Sequence, residues 1–170
     1  MTYGPDAVAH DADGRAVFVS GAVVGDRVRV TVDREEPRWA HATVLEVLEP
    51  SPHRTTPACP HAGVCGGCPW AHLSYDAQAS AKRSGVVDAV SRIGRFGDER
   101  AEELVSPIVS PGDPWGYRNK VELDVATEGG RVTLGMHGRS EGSVIRVKEC
   151  KLLDKHGSKA VKAVSGALSY

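Results

Sequence analysis

Cys59, Cys65 and Cys68 fall close together in PACPHAGVCGGCPWAH with the spacing C-x5-C-x2-C, and the fourth cysteine of the chain, Cys150, stands far downstream in VKECKLLD. Thiolates are soft ligands suited to zinc or to iron–sulfur centres. Gly66 and Gly67 are expected to let the backbone turn tightly enough for the sulfurs of Cys65 and Cys68 to face one centre. Structural zinc more often takes two close pairs. Three clustered cysteines with one remote partner are commoner for a four-iron cluster. The spacing therefore points first to a cluster that ties the two halves of the chain together, with structural zinc, disulfides and unligated thiols as alternatives.

The surroundings favour ligation over disulfides. The 170 residues are 41% hydrophobic and 25% charged, the composition of a soluble globular protein of one or two domains. No apolar run approaches the roughly 18 residues that span a bilayer, and MTYGPDAVAHD has no basic region followed by an apolar stretch. The expectation is a cytoplasmic protein without a membrane partner, in a reducing compartment where thiols bind metal rather than each other.

Net charge is −1, but it is unevenly spread. Residues 1–50 carry five Arg against nine Asp or Glu, a balance of −4, and residues 115–170 carry ten Lys or Arg against six acids, a balance of +4. A basic face for nucleic acid is therefore expected in the C-terminal half.

Three kinds of element must hold the cysteines. Residues 1–49 read as a small β-barrel, with AVFVS (16–20), DRVRVTVD (26–33) and WAHATVLEVLE (39–49) alternating apolar and polar side chains between glycines. Its Arg15, Arg27, Arg29, Arg34, Arg38 and Trp39 suit RNA. They equally suit the wet face of any half-buried strand. Residues 50–73, with Pro50, Pro52, Pro57 and Pro60, form a linker and the cysteine loop. Residues 74–170 read as a helix over 75–93 capped by Ser74, a loop over 94–114 with an edge strand at SPIVS, a hairpin GYRNKVELDVA–EGG–RVTLGMH, a strand SVIRVKE and a helix from Ser158. The fold class is mainly β with α+β, an oligonucleotide-binding type barrel followed by an α+β region.

SPHRTTPACPHAGVCGGCPWAHLSYDAQ, GYRNKVELDV and LGMHGRSEGSVIRVKECKLLD occur in order over nearly the whole length. Together they resemble the S-adenosylmethionine-dependent RNA uracil-5-methyltransferases, in the ribosomal-RNA branch that carries an iron–sulfur cluster. The resemblance implies that Cys59, Cys65, Cys68 and Cys150 ligate a 4Fe-4S cluster, that the first 49 residues are a TRAM-like barrel, and that the partner is structured RNA, ribosomal or transfer. The chain departs from the family in having Ala71-His72 where Gln-His is usual.

Enzymes of this kind add a cysteine thiolate to uracil, methylate the adduct and remove a proton with a carboxylate. The resemblance implies that the thiolate, the base and the adenosylmethionine pocket lie in a domain that follows the central one. The expectation is thus a monomeric fragment of barrel and incomplete central domain, unable to transfer methyl groups alone. No residue of the chain is assigned a catalytic role or a contact with adenosylmethionine. Arg118, Lys120, Tyr117 and His72 are the expected RNA contacts, with Trp70 and Trp115 as further stacking candidates. The alternative is a standalone TRAM-type RNA-binding module with a structural zinc or iron–sulfur site.

Overall fold

The computed structural model describes residues 4–110, 112–128, 131–139, 142–147 and 149–168. They form a sheet-rich mixed fold in two compact units. One unit joins the residues up to Thr56 with His72–Ser110, and the other joins Pro57–Ala71 with the residues after Ser110. These boundaries differ from the division into 1–49, 50–73 and 74–170. The chain leaves the first unit for the cysteine loop and returns to it, because the amide of Thr55 donates to the His72 carbonyl (2.9 Å) and that of Ser74 to the His53 carbonyl (2.8 Å).

The first unit holds a four-stranded sheet in the order β1-β2-β4-β3, made of β1 (Ala7–His10), β2 (Ala16–Ser20), β3 (Arg27–Glu36) and β4 (Trp39–Glu49). Alternation placed β2 and β4 with these bounds and found β3, which runs on to Glu36 beyond the expected end at Asp33. It missed β1, a four-residue strand with only Ala7 buried. The β1–β2 turn is set by Asp11, whose carboxylate accepts from the amides of Asp13 (3.1 Å) and Arg15 (2.9 Å), with Gly14 at φ 79°. Strands β2 and β4 run parallel, so that Ala40 and Ala42 turn inward at 1% and 0% exposure beside a core of Ala7, Val19 and Ala22.

The arginines of this sheet are paired with acids. Arg15 meets Asp11 and Glu35, Arg27 meets Glu49, Arg29 meets Glu46 and Arg34 meets Glu36. Arg34 also lies over the Trp39 ring, 5.1 Å from its centroid.

A buried ion pair locks the segment after β4 onto the sheet. The carboxylate of Asp26, 1% exposed, accepts from Arg54 Nε at 3.1 Å and from the amides of Val23 (2.7 Å) and Ser51 (2.8 Å). Arg54 Nη2 also donates to the Gly21 carbonyl at 2.7 Å. Burial by itself would raise the Asp26 pKa, but these donors outweigh it and hold the carboxyl below its ordinary value.

Helix α1 (Tyr75–Asp88) runs on into one π-helical turn at Ala89–Ile93, so that the helical stretch ends where the apolar spacing predicts. Ser74 occupies the N-cap position without a side-chain cap bond. Gln78 instead reaches back, its Nε2 donating to the Leu73 carbonyl at 2.8 Å. Within the expected loop lies a short helix, α2 (Asp98–Leu104), which buries Ala101. Arg83 ties α2 to α1 by donating to Glu102 (2.6 Å) and to the Val105 carbonyl (2.7 Å). SPIVS joins no strand among the described residues.

The second unit contains an antiparallel sheet in the order β5-β6-β7, made of β5 (Asp124–Glu128), β6 (Arg131–His137) and β7 (Val144–Arg146). The turn glycines of EGG lie outside the described residues. Strand β5 begins at Asp124, later than the alternation of Val121 and Leu123 suggested, because Gly116 and Arg118 bond instead to Lys151 and Leu152. Helix α3 (Lys155–Ala167) starts before Ser158, because Asp154 caps it by accepting from the Gly157 amide at 2.6 Å. Among the described residues no helix is long and apolar enough to cross a membrane.

Candidate metal centre

Each cysteine sits at a backbone turn. Within the loop, Cys59 O accepts from Ala62 N (3.1 Å), His61 O accepts from Cys65 N (2.9 Å) and Cys68 O accepts from Ala71 N (3.2 Å). Downstream, Cys150 O accepts from Leu153 N at 3.1 Å. Consecutive turns of this kind keep side chains of neighbouring residues on one side of the loop, which an extended strand would alternate.

The loop is docked on the end of β6. Cys65 bridges Gly138, Gly66 N donates to His137 O at 3.0 Å, and Arg139 N donates to Val64 O at 3.0 Å. Here the part played by the glycines differs from the expected one. Neither Gly66 nor Gly67 has positive φ, and the left-handed residue of the loop is Gly63 at φ 89°. A Cβ on Gly66 would stand 3.2 Å from the carbonyl oxygens of both His137 and Gly138, and one on Gly67 would stand 3.3 Å from Met136 Cε. The two glycines permit close approach of loop to strand rather than a sharp turn.

The remote cysteine is placed by the YRNK segment. Gly116 N donates to Lys151 O (2.9 Å), Arg118 N donates to Leu152 O (2.8 Å), and Asp154 N returns a bond to Arg118 O (2.9 Å). A short parallel bridge therefore runs beside the residues that follow Cys150.

Cys59, Cys65, Cys68 and Cys150 consequently line a single pocket, together with Trp115, Met136 and Val147. All four are unbridged and half-buried, so the disulfide alternative is not realised. Burial pushes the Cys68 thiol up, and the other three cysteines, Cys150 foremost, push it further, against a small opposing pull from Arg118. Yet among the described residues no group of three or more Cys, His, Asp or Glu is arranged to hold a single ion. The Gly67 amide lies 3.4 Å from Cys65 Sγ, an N–H···S contact.

His61 lines the same pocket, and its Nε2 atom is buried without a hydrogen-bond partner among the described residues. Leaving such an atom unpaired costs about 1–3 kcal/mol. Sequence reasoning passed over this histidine. Its position between Cys59 and Cys65 was the available signal.

The expected RNA contacts are not all together. Tyr117 is 61% exposed, Arg118 is exposed beside the cysteine pocket, and Lys120 is exposed but paired with Glu122 at 3.0 Å. His72 belongs to the first unit, where its Nε2 lies 3.4 Å from the Ala22 carbonyl. Trp115 lines the cysteine pocket. Trp70 is half-buried, the position of a cover rather than of an open platform.

No protein-family model matches the chain. It is 34% identical over 169 residues, 96% of its own length, to an uncharacterised RNA methyltransferase of Thermosynechococcus vestitus, of which it spans 37%. It is 35% identical over 148 residues to the 23S rRNA (uracil(1939)-C(5))-methyltransferase of Dechloromonas aromatica, covering 86% of the chain and 33% of that protein. The corresponding enzyme of Bordetella pertussis is 38% identical over 148 residues, 86% of the chain and 30% of the enzyme. Among solved structures, the Pyrococcus abyssi tRNA (uracil-54, C5)-methyltransferase in complex with S-adenosyl-L-homocysteine matches with a TM-score of 0.59 at 20% identity, over 93% of the chain and 34% of that structure. The chain spans about a third of the length of these relatives.

Proposed function

We infer that this chain, a relative of the RNA uracil-C5 methyltransferases over most of its length, is the part of such an enzyme that carries a 4Fe-4S cluster and faces the RNA. The first unit is read as a TRAM-like barrel domain, and the second as the cluster-bearing part of the central domain. The observation that carries this reading is the convergence of Cys59, Cys65, Cys68 and the distant Cys150 on one pocket.

The donor set fits the group. Four thiols without disulfide partners are the usual ligands of a four-iron cluster. A single zinc would draw sulfurs to about 2.3 Å from one ion, hence within about 4 Å of each other. The preference for a polynuclear centre over zinc rests on the C-x5-C-x2-C spacing with one remote cysteine, and all four of these cysteines line one pocket. A cluster bound there would supply iron–sulfur bonds that join the loop to the segment after β7. The chain's own residues do the rest. Gly66 and Gly67 let the loop approach β6, the 116–118 segment holds Cys150 in place, and Val147 and Met136 give the pocket apolar lining.

RNA contact is assigned to Tyr117, Arg118 and Lys120, with His72 on the other unit. An exposed ring offers a stacking surface for an unpaired base, and the two cations offer phosphate contacts. The pairing of most barrel arginines with acids supports the C-terminal unit as the main electrostatic partner of RNA. Methyl transfer from adenosylmethionine is assigned to the remainder of the parent enzyme.

Chemical analysis of anaerobically purified protein tests the reading. About four irons and four sulfides per chain are expected from four thiolates on one cluster. Stoichiometric zinc without iron would overturn it.

A further inference from the structure

We propose that His61 donates a hydrogen bond through Nε2–H to a sulfur of the group held by Cys59, Cys65, Cys68 and Cys150, and so sets the electronic properties of that group. The proposal rests on the reading of the four cysteines as an iron–sulfur site and deepens it.

Three observations carry the assignment. His61 lines the pocket that the four cysteines line. Its Nε2 is buried, and no described residue accepts from it or donates to it. A buried polar atom without a partner is rare in folded proteins, and where one faces a site the missing partner is commonly an ion or ligand. The histidine is also held firmly from the backbone, since its carbonyl accepts from the amides of both Val64 (3.3 Å) and Cys65 (2.9 Å). The backbone that carries the imidazole is therefore fixed within the turn that leads to Cys65.

The side-chain acceptors that line the pocket are the four cysteine sulfurs and the carboxylate of Glu149, and Glu149 is already paired with Lys151 at 3.4 Å. No cysteine sulfur accepts from Nε2 in this structure, so an Nε2–H would find its acceptor in an inorganic sulfide of the group. The Gly67 amide already makes a contact of this type with Cys65 Sγ at 3.4 Å. Hydrogen bonds to sulfur withdraw charge from a cluster and favour its reduced, more negative state, so each donor raises the reduction potential.

The test compares the full chain with His61→Phe, which keeps a ring but removes the donor, and His61→Gln, which restores an N–H donor. Each protein is reconstituted anaerobically with iron and sulfide, assayed for both elements, and titrated with dithionite in a spectroelectrochemical cell. The Phe variant should load fully yet show a more negative midpoint potential than the parent. The downshift of iron–sulfur stretching frequencies in D2O should shrink in it, and the Gln variant should recover both properties. If the Phe variant fails to load, the Gln variant decides. Loading with the parent potential supports donation, and failure to load in both variants overturns it in favour of shape alone. A loaded Phe variant with unchanged potential and unchanged isotope response also overturns the proposal, leaving the cluster reading intact. A parent chain that takes up no iron overturns the cluster reading itself, and this proposal with it.

Discussion

The amide of Gly66 donates to the carbonyl of His137 at 3.0 Å, and a methyl group on Gly66 would lie 3.2 Å from that same oxygen. The contact that docks the cysteine loop on β6 thus depends on the absence of a side chain. Gly66→Ala is expected to loosen the loop by about 1 kcal/mol, the scale of one hydrogen bond. Iron should then leave the reconstituted protein faster under chelator challenge, with circular dichroism of the first unit unchanged. Equal iron retention in the variant would refute the docking role.

Gly135 and Gly138, on and just beyond β6, should differ. A Cβ on Gly135 would collide with the backbone oxygen of Ile145, whereas on Gly138 its nearest neighbour would be the side-chain hydroxyl of Ser143. Backbone in a paired strand cannot step aside, and overpacking of this kind costs about 1–3 kcal/mol. Urea denaturation should find Gly135→Ala clearly less stable than Gly138→Ala. The reverse order would contradict the register of β6 against β7.

On the proposed reading of the four cysteines as one ligand set, Cys150→Ser should be as damaging as Cys65→Ser, because the remote cysteine would close the link between the two ends of the second unit. Ligand binding in small metal sites is coupled to folding. Iron content and thermal unfolding of the two variants should fall together. A Cys150 variant that retains full iron and parental stability would remove it from the ligand set.

Asp26→Asn should destabilise the first unit by about 3 kcal/mol, since it leaves Arg54 partly buried without its counter-charge. The pH dependence has a definite sign. The Asp26 pKa is lowered in the folded protein, so its contribution is full above the unfolded carboxylate value of about 3.9 and is lost as pH falls through the folded value. Parent and variant should differ most near neutrality and converge in acid. A gap that stays constant down to low pH would assign the effect to packing.

RNA binding should be modest and salt-sensitive, and should fall with Arg118→Ala or Lys120→Ala, each flattening the salt dependence by about one ion. Arg27→Ala and Arg29→Ala should matter less, since both arginines are paired with Glu49 and Glu46. Filter binding over a salt series separates the cases. Full affinity in a chain lacking both Arg118 and Lys120 charges would redirect the contact to the barrel. The chain alone should bind no adenosylmethionine by calorimetry and should transfer no label to ribosomal RNA.

By itself the sequence determined the strands β2, β3 and β4, the helical stretch through Ile93 and the ordered motifs shared with RNA methyltransferases. Those features depend on neighbours in the chain, through alternation that gives a sheet one apolar face and apolar spacing that gives a helix one apolar side. It singled out all four cysteines as one set, because their residue type is scarce and their chemistry narrow. Only the tertiary structure decided that α1 and α2 share a unit with strands β1 to β4 while the cysteine loop belongs with the hairpin. Bonds such as Thr55 to His72 and Gly66 to His137 join residues far apart in sequence, and no local pattern encodes them. Tertiary structure likewise showed that Gly66 serves a close approach and not a turn, and that His61 Nε2 is buried without a described partner. Each depends on which backbone or side chain from elsewhere occupies the adjoining space, and that occupancy exists only once the chain has folded.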